Sequence, residues 1–271
     1  MRVSVVFALL LLAGMVFAEP GSSARPGGIV FVDVGPVSSA APVVEYEGKR
    51  VLVLKGETQW TAAVGVPLDA SIGELSITSS DGRSFAVDIN EHSYREQRLT
   101  IKNQSYVTPD QEQLDRVAKE RVIIDNSLNN WREQDLESIS LAAPVEGPRS
   151  SSFGLRRFFN EQPRSPHKGM DIAANKGTPI VAPKAGIVTA TGDFFFNGNT
   201  VLLDHGQGFV TMYCHMSEID VEYGQTVAAG ERLGAVGATG RVTGAHLHFG
   251  TYLNGTAVDP AVVLTTPESP R

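Results

Sequence analysis

Short apolar runs separated by turn residues fill the first hundred positions of this 271-residue chain. Residues 29–34, 50–55, 59–64, 73–78, 85–89 and 98–102 read as strands, because valine, isoleucine and aromatic residues recur in them between turn signals. Glu47-Gly48, Lys55-Gly56 and Ser80-Asp81-Gly82-Arg83 supply those turns. Strands of this length and spacing predict a small β-sandwich over residues 19–107. The pattern then changes. Leu114, Val117, Ile124, Leu128 and Trp131 recur at three and four spacing, which predicts one long helix from Pro109 to about Glu137. Thr108 with Gln111 has the form of a capping box, and Pro109 suits a first helical turn. Residues 141–148 (LAAPVEGP) read as a linker, so 108–143 forms a connecting helix and linker.

From residue 144 to 271 the chain is glycine-rich and again strand-like. The stretch 180–188 and the glycine-valine rhythm of 224–240 predict compact antiparallel β structure with tight corners, where glycine permits positive φ. The fold class is therefore mainly β: an N-terminal small β-sandwich, a long connecting helix, and a C-terminal compact antiparallel β domain.

Composition narrows the setting. With 42% apolar and 20% charged residues, the chain reads as soluble and able to bury sizeable cores. The formal charge is -7, yet from Pro144 onward ten Lys/Arg nearly balance eleven Asp/Glu. No basic stripe suited to nucleic acid is present. Residues 1–18 read as a secretory signal peptide: Arg2, an apolar run over 3–15, and Val16-Phe17-Ala18 before Glu19. No cysteine follows the apolar run, which argues against a lipid anchor. The expectation is an exported protein, periplasmic first, with no stable membrane insertion once the signal is removed. Cys214 is the only cysteine, so an intramolecular disulfide is excluded. It shares the expected strand face of Val210, Met212 and Met216 and reads as core.

The chemistry lies in the histidines. Five of the six fall between 167 and 248, as His167-x3-Asp171, His205, His215 and His246-Leu247-His248. On a strand, residues two apart share a face, so His246 and His248 point into one space. Catalytic zinc sites use three protein ligands and leave a position for water, and this His/Asp set suits that chemistry. Pro166 and Gly169 exclude a helical His-Glu-x-x-His arrangement. His205 precedes a glycine turn and reads as structural, and His92 reads as an exposed loop residue. Arg156, Arg157, Arg164 and Lys168 form either an ordinary solvated basic loop or an attractor for substrate carboxylates.

Residues 165–172 (SPHKGMDI), 212–216 (MYCHM) and 244–249 (GAHLHF) closely resemble the lysostaphin-type zinc metallopeptidases, which cut peptide bonds in bacterial peptidoglycan. The resemblance covers roughly residues 144–264, all three motifs in order; Met216 replaces a common leucine. It implies that His167, Asp171 and His248 bind one zinc ion and that His215 and His246 are catalytic. It also implies that peptidoglycan stem peptides are the substrate and that the first half is an accessory domain. The mechanism expected is a zinc-activated water, with His246 taking its proton and His215 donating to, or hydrogen-bonding, the tetrahedral oxyanion; the sequence leaves open which of the two histidines takes which part. Two alternatives remain at this level. One is a catalytically silent wall-binding or activator protein of the same fold. The other is a phosphoryl-carrying domain of the sugar-phosphotransferase kind, which neither the leader nor His167-x3-Asp171 suits.

Overall fold

A computed structural model describes residues 23–265, so the expected signal peptide lies outside the described residues. Among these residues, no helix is long and apolar enough to cross a membrane. The chain is mainly β, as its apolar runs predict.

The first half contains two small sheets. Strands Ile29–Pro36, Gln59–Gly65 and Leu52–Lys55 pair in that order. Lys49–Arg50, Val44–Tyr46, Gly73–Ser79 and Ser84–Ile89 form the other sheet. Val30, Val32 and Val34 of the first sheet share a buried core with Ile77, Val87 and Ile89 of the second. Val44–Tyr46 is too short for its alternation to show in the sequence. The strand expected over 98–102 instead spans Glu96–Leu99 and pairs in parallel with Arg156–Phe159.

The first sheet is buried on both faces. Ile29, Leu52, Leu54 and Ala63 point away from the sandwich and pack in the main core with Leu253 and Val258. Each fully buried leucine of this kind contributes roughly 1.5–3 kcal/mol. The two halves are thus joined by hydrophobic packing as well as by the chain at 141–148. Asn254, at φ 44°, adds a polar clasp: its side chain accepts from the Gly65 amide at 2.9 Å and donates to the Gly65 carbonyl at 3.3 Å.

The second half is built on a larger sheet. Its path runs Thr226–Val227, Gly186–Phe194, Gly198–Gly206, Phe209–Ile219, Leu247–Leu253, Met170–Ile172 and Arg149–Ser151. Leu203, Phe209, Tyr213 and Phe249 fill its core. The pairing places Asp171 opposite His248, and His248 opposite Cys214. Residues distant in sequence therefore meet at one end of three adjacent strands.

Two local expectations change. His215 has φ 65°, and the pairing with Gly198–Gly206 shifts between Val201↔Tyr213 and Asn199↔Met216. This irregularity breaks the alternation. Cys214 stays in a core with Val210 and Met212, while Met216 enters the opposite core. Burial pushes the Cys214 thiol up to about 12, so it stays protonated and inert.

The helix is also shorter than expected, Gln111–Leu128. Asp110, not Thr108, caps it: its carboxylate accepts from the Gln113 amide at 2.9 Å, and Gln113 Oε1 accepts from the Asp110 amide at 3.1 Å. Pro109 consequently lies before the cap. At the other end, both the Asn129 amide and its side-chain nitrogen donate to the Asp125 carbonyl. Beyond it, Asn130 and Arg132 bond the buried Asp204 at 3.1 and 3.0 Å. Trp131 stacks under Arg50, 4.3 Å from its guanidinium. Those contacts draw residues 130–137 out along the sheet domain instead of continuing the helix.

Candidate metal centre

His167, Asp171 and His248 converge although 81 positions separate the first from the last. His167 Nε2 lies 3.0 Å from Asp171 Oδ1, and His248 Nδ1 lies 2.9 Å from the same oxygen. The two ring nitrogens are themselves 2.9 Å apart. Gly169 makes this approach feasible, because a Cβ there would come within 2.7 Å of the His248 ring.

Hydrogen bonding around the triad fixes what it offers. His167 Nδ1 faces the Ser152 carbonyl at 2.8 Å, and a carbonyl only accepts. Nδ1 therefore carries the proton and Nε2 presents a lone pair. Burial supports this neutral form by pushing the imidazole down to about 4. A carboxylate oxygen and an unprotonated ring nitrogen thus meet a second ring nitrogen at one point. The spacing is close to the roughly 3.3 Å edge of a tetrahedron with ~2.05 Å zinc bonds. The donor set fits zinc: two imidazoles, one carboxylate and no thiolate.

The other carboxylate oxygen, Oδ2 of Asp171, receives Arg157 Nη2 at 3.1 Å. Arg157 is itself braced by Gln97 Oε1 at 3.0 Å. Of the basic group noted in the sequence, only this residue touches the triad. Arg156 is exposed and 3.7 Å from Glu96; Arg164 binds the Val107 carbonyl; Lys168 is exposed. Partners that orient a metal ligand typically contribute 10- to 100-fold in metal affinity. Arg157→Gln is therefore expected to weaken zinc binding by about that factor. Competition with a fluorescent chelator measures this, and unchanged affinity would show that Asp171 needs no such support.

His215 and His246 stand beside the triad. His215 Nδ1 donates to the Thr239 carbonyl at 2.9 Å, and His246 Nδ1 to the Gly244 carbonyl at 2.9 Å. Both therefore present Nε2 as a lone pair. Their rings are 4.9 Å apart, and His246 Nε2 is 3.8 Å from Asp171 Oδ1, outside bonding range. His215 is buried, which together with the neighbouring His248 and His246 pushes it down to about 3. His246 is more accessible, with 17% of its side chain exposed. In the resting chain His215 Nε2 is thus an acceptor first, and that nitrogen becomes a donor only after taking up a proton.

His205 lies elsewhere. Its two nitrogens bond the Ala185 carbonyl and Thr211 Oγ1, each at 2.8 Å, and Thr211 continues to the Tyr213 hydroxyl at 2.8 Å. Burial pushes it down from 6.5 to about 4. The unfolded chain therefore binds a proton between those values that the folded chain refuses. Stability present above pH 6.5 is lost as pH falls toward 4, by about 3 kcal/mol from this residue. Denaturant unfolding across that range is expected to show the slope, and His205→Gln is expected to reduce it by this residue's share, leaving that of His167 and His215. His92 is half-buried against Arg25 and Tyr94 rather than exposed.

His167 and His248 line a groove of about 700 Å³ that Val117, Ile124 and Leu128 of the helix also line. That apolar stripe faces the groove. Arg241, which no sequence signal set apart from the surrounding glycine turns, also lines it.

Comparison with known proteins agrees with these features. Residues 165–260 match the model described as peptidase family M23, and residues 23–90 that of the peptidase family M23 N-terminal domain. Over 111 residues the chain is 41% identical to the peptidoglycan DD-endopeptidase ShyA of Vibrio cholerae, covering 41% of this chain and 26% of that protein. Over 120 residues it is 42% identical to the DD-carboxypeptidase/endopeptidase Mpg of Neisseria meningitidis, covering 44% and 28% respectively. The chain thus spans little more than a quarter of the length of these curated relatives. A crystal structure of a Pseudomonas aeruginosa protein described as a peptidase M23 superposes with a TM-score of 0.74 at 36% identity, covering 92% of this chain and 96% of that one. The chain belongs to peptidase family M23.

Proposed function

We propose that this chain is a zinc-dependent endopeptidase that hydrolyses peptide cross-links of bacterial peptidoglycan in the exported space. His167, Asp171 and His248 hold the ion, and His215 and His246 move protons. The observation that carries this reading is the meeting of three metal-donor atoms within 3.0 Å of one another beside two further imidazole lone pairs. In the proposed organisation, residues 19–107 are the accessory domain, 108–143 the connector and 144–271 the catalytic domain. Relatives described as peptidoglycan DD-endopeptidases support the substrate class.

Bound zinc supplies Lewis-acid charge that polarises a peptide carbonyl and lowers the pKa of water toward ~7. The chain's own groups do the rest. His246 Nε2 accepts a proton, and its Nδ1–H on the Gly244 carbonyl keeps the ring in that tautomer. His215 is fixed likewise by its Nδ1–H on the Thr239 carbonyl, and its Nε2 accepts a hydrogen bond before it can donate one. Arg157 holds Asp171 from behind, so the carboxylate offers one oxygen inward. The helix stripe lines the same groove.

Mass spectrometry of purified peptidoglycan digested by the zinc-loaded chain tests this. Release of uncross-linked peptides, abolished by chelation and restored by zinc, is the expected result. An unchanged muropeptide profile would overturn the proposal.

A further inference from the structure

Arg241 is a charged side chain in an unusual setting. Its guanidinium lies between two aromatic rings, 4.8 Å from the centroid of Phe159 and 4.3 Å from that of Phe196. One Nη1 contact reaches the Tyr106 carbonyl at 3.3 Å. Among the described residues no carboxylate lies within 4.0 Å of it, whereas nearby Arg157 is paired with Asp171. Burial, with Arg157 and Arg164 close by, pushes its pKa down to about 10, which still leaves it cationic at neutral pH.

The backbone holds this group in place. The Arg241 amide donates to the Phe196 carbonyl at 2.9 Å. Gly240, at φ 71°, packs where a Cβ would come 2.4 Å from the Gly198 amide nitrogen. Two residues before Arg241, the Thr239 carbonyl holds His215. The guanidinium is therefore registered to the proton-handling side of the centre.

Its position in the groove is specific. The groove containing His167 and His248 and a second cavity of about 290 Å³ containing Asp171 and His246 share Arg157, Phe159, His215 and Arg241 as common walls. A peptide lying across the triad would pass this guanidinium. Arginine's planar fork suits a carboxylate, and the flanking rings hold it flat while leaving N–H groups at its edge. A desolvated cation without its own counter-ion favours an anionic ligand.

We infer that Arg241 is a specificity-determining residue that receives a free carboxylate standing next to the scissile bond. This rests on the endopeptidase reading given under Proposed function. It narrows the substrate to peptides whose amine-side residue keeps its α-carboxylate free. A D-Ala–diaminopimelate cross-link has that group beside the scissile nitrogen. A glycine bridge has another neutral peptide bond there.

The test uses a synthetic D-Ala–diaminopimelate cross-linked peptide dimer and the same dimer amidated at the carboxyl beside the scissile nitrogen. Binding is measured by calorimetry on zinc-loaded full chain carrying His246→Ala, with and without Arg241→Gln or Arg241→Lys. Turnover is measured in the corresponding proteins with His246 intact. The free acid should bind roughly 10- to 100-fold tighter than the amide. Arg241→Gln should abolish that preference, and Arg241→Lys should keep part of it, with zinc content and thermal midpoint unchanged. In turnover, Arg241→Gln should raise KM for the acid by a similar factor and leave the amide unaffected. Equal binding of acid and amide by the Arg241 protein, or equal weakening of both by Arg241→Gln, overturns the inference. An Arg241-dependent preference without any turnover would sink the endopeptidase reading alone, whereas turnover without a preference would sink this inference alone.

Discussion

Replacing His246 by Ala is expected to lower turnover by about 10²- to 10⁴-fold while the protein keeps its zinc. The geometry separates the two functions. His246 Nε2 stands 3.8 Å from Asp171 Oδ1, whereas the three triad atoms lie 2.9–3.0 Å from one another. The side chain therefore flanks the centre without belonging to it. Its one polar anchor, Nδ1 to the Gly244 carbonyl, lies on an exposed turn, so truncation leaves no buried group unpaired. The loss should fall on kcat, with KM nearly constant, and metal analysis should still find one zinc per chain. Loss of the zinc together with the activity would place His246 among the ligands instead.

The parts of this centre that the sequence makes legible are those whose geometry is local. His167 and Asp171 flank Gly169, whose missing side chain admits the His248 ring, and His246-Leu247-His248 enters one strand. Strand alternation locates such residues because backbone pleating is independent of the partner strand. It fails where pairing slips. The φ of 65° at His215 lies in a region that non-glycine residues rarely occupy, and no pattern in residues 209–216 announces it. Met216 consequently turns to the other core. The helix bounds were obscured for a different reason: Thr108 and Asp110 both have glutamine three residues on, and only packing selects Asp110. Trp131 fits the helical stripe by spacing yet is held outside the helix by Arg50 and the Asp204 network. Arg241 is least legible of all. Its setting depends on Phe159, Phe196 and Tyr106, three residues from three separate segments.

His248→Ala should lose zinc and activity together, and should do so without unfolding the chain. Two of the three donor atoms remain, too few to hold the ion against a competing chelator. Loss of Lewis-acid stabilisation worth several kcal/mol corresponds to a fall in turnover of about 10³-fold or more. His248 is a cleaner probe of the metal than Asp171. Its ring is partly exposed, and its backbone pairing with Asp171 and Cys214 does not depend on the side chain. Asp171 is different, because its Oδ2 neutralises the half-buried Arg157. Asp171→Ala would strand that guanidinium, and breaking a buried pair costs about 3–5 kcal/mol. The two variants should therefore look alike in zinc content and turnover but differ in unfolding midpoint, with Asp171→Ala the lower. Equal midpoints would mean that Arg157 finds another partner or reaches water. Retention of zinc by His248→Ala would remove His248 from the ligand set.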